Sequence, residues 1–312
     1  DMKFFDNKIK LGYSYYYNKT EDVFFNLSLA NSSGYDEIFT NAGEIENKGM
    51  ELDLSYEIIK NDDFSINFSL NWSYYRNKVL DLKGVESIRL GGLSAVSGRA
   101  VEGYPLGVFW GTKFVRNDDG SILLNDVGFP SLAPENGIIG NPHPDWQGGF
   151  GTTISYKDLS LFFLLETYQG ADIYAGTKAV LLNYGRHKDS GIETTTQQDL
   201  FDYNGGLITS GSTFRGSIHD FGAGPVALTE AWYRGIGGYF SGVQEQFVED
   251  GSWSRLRELT LSYSLRSSNF RKATKLSSID FSFTGRNLFI LSDFIGNDLD
   301  TNLTDASTTR GI

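Results

Sequence analysis

Apolar and polar side chains alternate along much of the chain. From Ile9, the residues Ile9, Leu11, Tyr13, Tyr15 and Tyr17 share one parity, while Lys10, Gly12, Ser14 and Asn18 hold the other. Successive side chains of a strand point to opposite faces, so this segment is predicted to be a strand with one apolar and one wet face. Met50, Leu52, Leu54, Tyr56 and Ile58 repeat the pattern against Glu51, Asp53, Ser55 and Glu57. The clearest case sets Phe64, Ile66, Phe68, Leu70, Trp72 and Tyr74 against Ser65, Asn67, Ser69, Asn71 and Ser73. Phe150, Ile154 and Tyr156 lead into Leu159, Leu161, Phe163 and Leu165, where Phe162 and Leu164 blur the alternation. Leu259, Leu261, Tyr263 and Leu265 face Glu258, Thr260, Ser262 and Ser264; Ile279, Phe281 and Phe283 face Asp280, Ser282, Thr284 and Arg286. Seven strands are thereby expected, near residues 8–18, 50–58, 64–78, 148–156, 159–168, 253–265 and 276–287. Helical periodicity is not sustained.

Strand length decides between two solvents. A soluble sandwich uses strands of about 5–6 residues, whereas a tilted strand crosses a bilayer in about 9–11. The predicted strands have 9 to 15 residues. Their apolar parity ends in rings, Tyr13, Tyr15 and Tyr17 on one strand and Trp72 and Tyr74 on another, as an interfacial girdle requires. The opposite parity, rich in Ser, Asn, Glu and Arg, is too polar for a packed core but suits a wet or plugged lumen. The expected fold is therefore all-β, a transmembrane antiparallel β-barrel, with a soluble carbohydrate-binding or structural β-protein as the rival. No stretch reaches the ~18 apolar residues of a spanning helix, and no basic-then-apolar signal segment opens the chain.

Connection lengths alternate. Ile59 to Asp63 and Lys157-Asp158 are short turns; the stretches 19–49, 79–148 and 169–252, and everything after Leu288, are long. Outer-membrane barrels have short periplasmic turns and long outer loops, so Asn61-Asp62 and Lys157-Asp158 are expected at the periplasmic side. A further hairpin is a candidate within Val101 to Val115. Seven strands do not close in the usual even-stranded design, and two open edges in lipid would leave many backbone groups unsatisfied. The chain, 1–312, is expected to be part of a larger barrel, stopping inside a loop one strand short of where a barrel ends.

Composition sharpens this picture. Aromatic residues make up 14%, and 36 glycines collect largely in the long connections with all six prolines. The mean hydropathy of −0.28 would ordinarily suggest a soluble protein, but alternating strands average their two faces. The net charge of −12 argues against nucleic acid as a partner. With no cysteine and only His143, His187 and His219, thiolate chemistry is excluded and no zinc-type spacing exists. Neither catalytic residues, a resident metal nor a cofactor is expected.

Several segments carry a resemblance. Asn41-Ala42-Gly43-Glu44-Ile45-Glu46-Asn47-Lys48-Gly49-Met50-Glu51-Leu52 is similar to the N-x-G-E-x-x-N-K-G-x-E-L opening of a strand in SusC-like (SusC/RagA family) TonB-dependent outer-membrane transporters. Gly103-Tyr104-Pro105-Leu106-Gly107 resembles that family's G-x-P-x-G. Gly140-Asn141-Pro142-His143-Pro144-Asp145-Trp146 resembles its G-N-P-x-P-D-aromatic segment. Ser254 to Tyr263 resembles x-R-L-(R/K)-x-L-T-L-x-Y, and Gly285-Arg286-Asn287-Leu288-Phe289 the late x-x-N-L-F. These matches run in the family's order through nearly the whole chain. The resemblance implies the C-terminal portion of a plugged barrel of about 22 strands, with the plug, TonB box and signal peptide outside this chain. It also implies a SusD-like surface lipoprotein as partner, TonB-driven import, and oligosaccharide or sometimes peptide cargo in Bacteroidetes-type bacteria. A passive outer-membrane porin is a further alternative.

Aromatic faces stack on sugar C–H faces, which makes Tyr104, Trp110, Trp146, Tyr174, Tyr184, Trp232 and Tyr233, all in the long connections, the candidate substrate-binding residues. Packing of the loops, or burial against the lipoprotein, is the competing expectation. Trp72 and Trp253 are expected to serve the girdle or wall. The carboxylate pairs Glu44/Glu46, Asp62/Asp63 and Asp118/Asp119 are expected to be solvated or on opposite faces. Asn117-Asp118-Asp119-Gly120 and Asp298-Leu299-Asp300-Thr301-Asn302 lack a full calcium-ligand pattern and read as polar turns.

Overall fold

The computed structural model describes residues 1–29, 31–296 and 299. In chain order its principal strands are β1 (Met2–Phe4), β2 (Ile9–Ser28), β3 (Glu37–Lys60), β4 (Phe64–Asp81), β5 (Ser87–Gly92), β6 (Ser97–Val101), β7 (Val108–Gly111), β8 (Gly137–Gly140), β9 (Trp146–Tyr156), β10 (Leu159–Gln169), β11 (Trp253–Leu265) and β12 (Ile279–Leu291). Eight of them form one antiparallel sheet in the order β1-β2-β3-β4-β9-β10-β11-β12.

Register carries the sequence alternation across the sheet. Leu11, Leu54, Leu70, Phe150, Leu165 and Leu256 stand opposite one another in succession, and so do Gly12, Asp53, Asn71, Gly149, Glu166 and Arg255. A slip of one residue at any join would exchange the faces of a strand, so the pattern itself pins the pairing. The apolar face is left uncovered: Tyr15, Tyr156, Leu261, Tyr263 and Phe283 are exposed. A continuous apolar surface of this breadth calls for a lipid neighbour. On β9, Trp146 and Tyr156 bracket that face ten residues apart. At a rise of ~3.3 Å and a tilt of ~40°, they span about 25 Å, the height of an outer-membrane barrel's apolar band.

The seven expected strands are present, with two differences. Met2–Phe4 adds a short strand, too brief to show a period. The stretch 19–49, expected as a loop, is instead the continuation of β2 and β3 as a hairpin. Register shifts between Thr20 and Val23, and between Val23 and Phe24, interrupt the alternation there, with Asp22 at φ 56°. Phe25 therefore turns inward, to pack with Ala42, Ile45, Val79, Leu82, Ile88 and Ala100. At the short-turn end, Asn61 Oδ1 accepts hydrogen bonds from the Asp63 and Phe64 amides (3.1 and 2.8 Å), and Lys157 adopts φ 53°.

The long connections fold. Between β4 and β9 lies the antiparallel sheet β5-β6-β7-β8; its β6–β7 hairpin starts at Ser97 and overlaps the expected Val101–Val115 region only in its turn and β7. Between β10 and β11, a helix at Gly176–Asn183, a shorter one at Glu230–Arg234 and small two-stranded ribbons surround a core of Phe109, Phe129, Tyr174, Ala179, Trp232 and Phe247. Eight residues make too short a helix for a visible period. Ala179 and Leu182 are nonetheless its buried face.

Candidate functional site

The polar face of the sheet is hollowed by glycine. On β9, Gly149 and Gly151 take the inward parity, opposite Asn71 and Ser69 of β4. A Cβ there would come within 2.9 Å of Asn71 Nδ2 and 2.6 Å of Ser69 Oγ, so the strip is kept free of side chains. Beside it is a cavity of about 330 Å³ lined by Asn71, Gly149, Glu166, Tyr168, Trp253 and Arg257, among others. Another, of about 310 Å³, is lined by Lys10, Ser55, Asn67, Ser69 and Thr153. Both concavities lie on the polar face, which makes it the inner side of the wall.

Several charges on this side are paired. Arg257 Nε donates to Glu166 Oε2 at 2.6 Å and Arg257 Nη1 to Asn287 Oδ1 at 3.0 Å; Arg286 Nε lies 3.3 Å from Glu258 Oε2. Between β11 and β12, Thr260 donates to Thr284 (3.0 Å) and Ser264 to Asp280 (2.6 Å), giving the inner face a ladder of hydroxyls. Among the described residues the arrangement offers hydrogen-bonding groups without a convergent acid and base.

The two Pro-containing segments pack together on the inner side of the wall near its loop end. Leu106 N donates to Asn77 Oδ1 at 2.6 Å, and His143 Nε2 lies 2.6 Å from Leu106 O. The Gly103–Gly107 turn is thereby clamped to the inner side of β4. Asn141 N donates to Asp172 Oδ2 (2.6 Å) and Tyr168 OH to Pro142 O (3.3 Å), tying the Gly140–Trp146 segment to the start of the next connection. Burial raises the Asp172 carboxyl above its usual range; the Asn141 amide opposes this, while Asp250 and Asp145 reinforce it.

The seven candidate aromatics divide. Tyr174, Trp232 and Tyr233 are 0%, 2% and 5% exposed and belong to the loop core. Tyr174 OH donates to Gln244, and burial raises its phenol. Burial also raises Tyr233, whose hydroxyl donates to Asp189 O and lies 2.8 Å from Ser217 Oγ. Trp146 shares the parity of Phe150, Ile154 and Tyr156, and so stands on the apolar outer face at the loop end. Tyr104 and Tyr184 are exposed, Tyr184 with its ring edge-on to Phe240 at 6.0 Å. Half-buried Trp110 lies beneath Arg99.

Glu44 is paired with Lys19 (2.8 Å) and Glu46 with Lys48 (3.4 Å), structural rather than catalytic surroundings. Asp119 accepts from Ser121 N and Oγ (2.9 and 2.6 Å), which holds its carboxyl below the usual range and closes the Gly120 turn. Asp298, Asp300, Thr301 and Asn302 lie outside the described residues. Among the described residues no group of three His, Asp or Glu side chains is placed to hold a metal ion.

The family model described as TonB dependent receptor-like, β-barrel, matches residues 2–168. The chain belongs to that family. It is 26% identical to TonB-dependent receptor P3 of Formosa agariphila over 99% of its length, and 24% identical to TonB-dependent receptor SusC of Bacteroides thetaiotaomicron over 96%. It spans 30% and 28% of those two proteins. The solved RagAB peptide transporter shares its fold, with a TM-score of 0.64 at 19% identity over 93% of this chain and 30% of that one. The TonB-dependent family is one of outer-membrane transporters rather than enzymes, in keeping with the SusC-like resemblance of the motifs.

Within this barrel, sequence reasoning missed Trp253 as an inner-face residue. It is directly opposite Tyr168 and lies close to Arg255 and Arg257, with guanidinium carbons 5.3 and 5.6 Å from its ring. The register shift between Leu256 and Glu258 makes simple parity counting unreliable there. The charge spacing Arg255-x-Arg257, flanking an aromatic residue, was the available signal.

Proposed function

We propose that this chain forms part of the wall and outer mouth of a TonB-dependent importer of oligosaccharides, acting with a SusD-like surface lipoprotein. What carries the reading is the polar, glycine-hollowed inner wall beneath folded loops, set in a chain similar to SusC along nearly all its length. Hydroxyls, amides and paired charges suit a hydroxyl-rich cargo that must bind weakly enough to move on. The lipoprotein would meet the folded long connections at the loop end of the wall. TonB would act through a region outside this chain, and the apolar face would meet outer-membrane lipid.

Peptide is the rival cargo, being that of RagAB by name; a likeness at 19% identity extends to the fold alone. Uptake of labelled oligosaccharides and peptides by cells carrying the intact transporter tests the reading. Loss of oligosaccharide uptake on deletion of either tonB or the transporter supports it. Uptake indifferent to TonB contradicts active import, and TonB-dependent uptake of peptide alone contradicts the cargo.

A further inference from the structure

The sheet β5–β8 has a charged side directed away from the wall. Val79 and Ile45, paired on the inward side of β4 and β3, pack with Ile88 and Ala100 of β5 and β6. The opposite face is therefore turned away from the wall. There, Arg89 and Arg99 stand directly across from one another. Trp110 is opposite Ser97, on the same side as Arg99, and the Arg99 guanidinium carbon lies 5.0 Å from the indole centroid. Arg99 Nη1 donates to Ser87 Oγ at 2.8 Å, and Arg89 Nη2 to Gly92 O at 2.7 Å.

Two features of this spot oppose folding. Like charges directly opposite in an antiparallel pair repel, and neither arginine forms an ion pair among the described residues. In addition, Arg99 Nε is sealed from solvent without an acceptor. Burial and the neighbouring Arg89 together pull the Arg99 guanidinium below its usual range, against a smaller opposing effect of Glu86. Local violations of this kind concentrate where a chain serves a ligand. The missing ingredient is negative charge, and guanidinium forks hold carboxylate or sulfate oxygens in bidentate geometry.

We propose that Arg89 and Arg99, with Trp110 and Ser87 fixing Arg99, form a binding point for a carboxylate or sulfate carried by an oligosaccharide, selecting anionic sugars over neutral ones. The proposal rests on the oligosaccharide-import reading and adds the charge of the cargo. Ser87 and Ser97 on this face offer hydroxyl partners to a sugar, beside the apolar Val101 and Val108; the indole of Trp110 offers a face for a sugar ring to stack on. Arg99 is recessed, with its Nε sealed from solvent, which disfavours an acidic side chain of a lid protein.

Isothermal titration of the intact, detergent-solubilised transporter with hexagalacturonate, a sulfated hexagalactan, maltohexaose and hexaglutamate tests this. At least one anionic sugar is expected to bind roughly tenfold tighter than maltohexaose, with affinity falling as salt rises. Arg89→Met and Arg99→Met should each weaken that binding roughly tenfold while leaving maltohexaose unaffected. Which anionic sugar responds separates carboxylate from sulfate. Arg89 is exposed, so Arg89→Met keeps the test valid if Arg99→Met fails to fold, which heat-modifiable gel migration would reveal. Equal affinity for charged and neutral sugars, unchanged anion binding in the folded variants, no binding of either anionic sugar, or binding of hexaglutamate alone would each overturn the proposal. The import reading fails separately, through TonB-independent uptake.

Discussion

Trp253 of β11 lies directly opposite Tyr168 of β10, and their rings stack with centroids 5.9 Å apart at an interplanar angle of 11°. Both are nearly buried on the inner side, with Ala171 and Ile173 of the following connection packed against them. The pair joins the wall to the loop region. Trp253→Ala should cost about 3 kcal/mol, the range for removing a large buried aromatic. Thermal unfolding of the intact barrel should show a clear drop, and limited proteolysis should cut sooner within 171–252. Trp253→Phe should recover most of the loss. An unchanged unfolding temperature in Trp253→Ala would show that the stack carries no load.

Gly49 sits under a ring. Tyr16 is directly opposite on the inner face, and a Cβ on Gly49 would lie 2.5 Å from Tyr16 Cζ and 2.6 Å from the Tyr74 carbonyl oxygen. The tyrosine can swing aside, but the backbone carbonyl cannot. Gly49→Ala should therefore destabilise by about 1–3 kcal/mol, typical of overpacking, and reduce the folded fraction on refolding into detergent. Wild-type yield would contradict this.

Asp172 sets a pH dependence. Its folded-state pKa is raised, chiefly by burial, so the native state binds its proton more tightly than the unfolded state. Its contribution to stability consequently worsens as pH rises from the unfolded-carboxylate range, near about 4, through the folded value. Asp172→Asn keeps an oxygen to accept the Asn141 amide and removes the charge. The variant should unfold at a higher temperature than wild type at pH 7.5, with the gap narrowing as pH approaches 4. A gap that widens on acidification would contradict this assignment.

Trp146 belongs to the outer face by register, although as an aromatic residue in a long connection it is a candidate cargo contact. Trp146→Ala should leave oligosaccharide affinity unchanged in calorimetry while weakening the anchoring of β9 at the membrane interface, read as a lower unfolding temperature in liposomes. Lost affinity with unaltered stability would return Trp146 to the inner side.

The wall was legible in the sequence because its two faces meet different solvents. Between Phe64 and Tyr74, each position reports its side directly. Legibility fails where both faces meet protein: above Thr20 the register shifts, and Phe25 is buried by β5 and β6 rather than exposed to lipid. The loop aromatics were harder to read for the same reason. Tyr174 and Trp232 lie in a core with no periodic signature, whereas exposed Tyr184 looks no different in sequence. The Arg89–Arg99 juxtaposition depends on a pairing register that no local pattern reveals.

The transmembrane reading rests on opposite solvents for alternate residues of β4. This chain contains no cysteine, so single cysteines can be placed at each position from 64 to 74 of the intact transporter without interference from its other residues here. In native outer membranes, Cys at 65, 67, 69, 71 and 73 should react with a water-soluble maleimide. At 66, 68, 70 and 72, labelling should fail unless the reagent partitions into lipid, and a bimane placed there should be quenched by brominated acyl chains. A period of two in both readouts is the expected result; uniform aqueous labelling along β4, with no lipid quenching at the even positions, would contradict it.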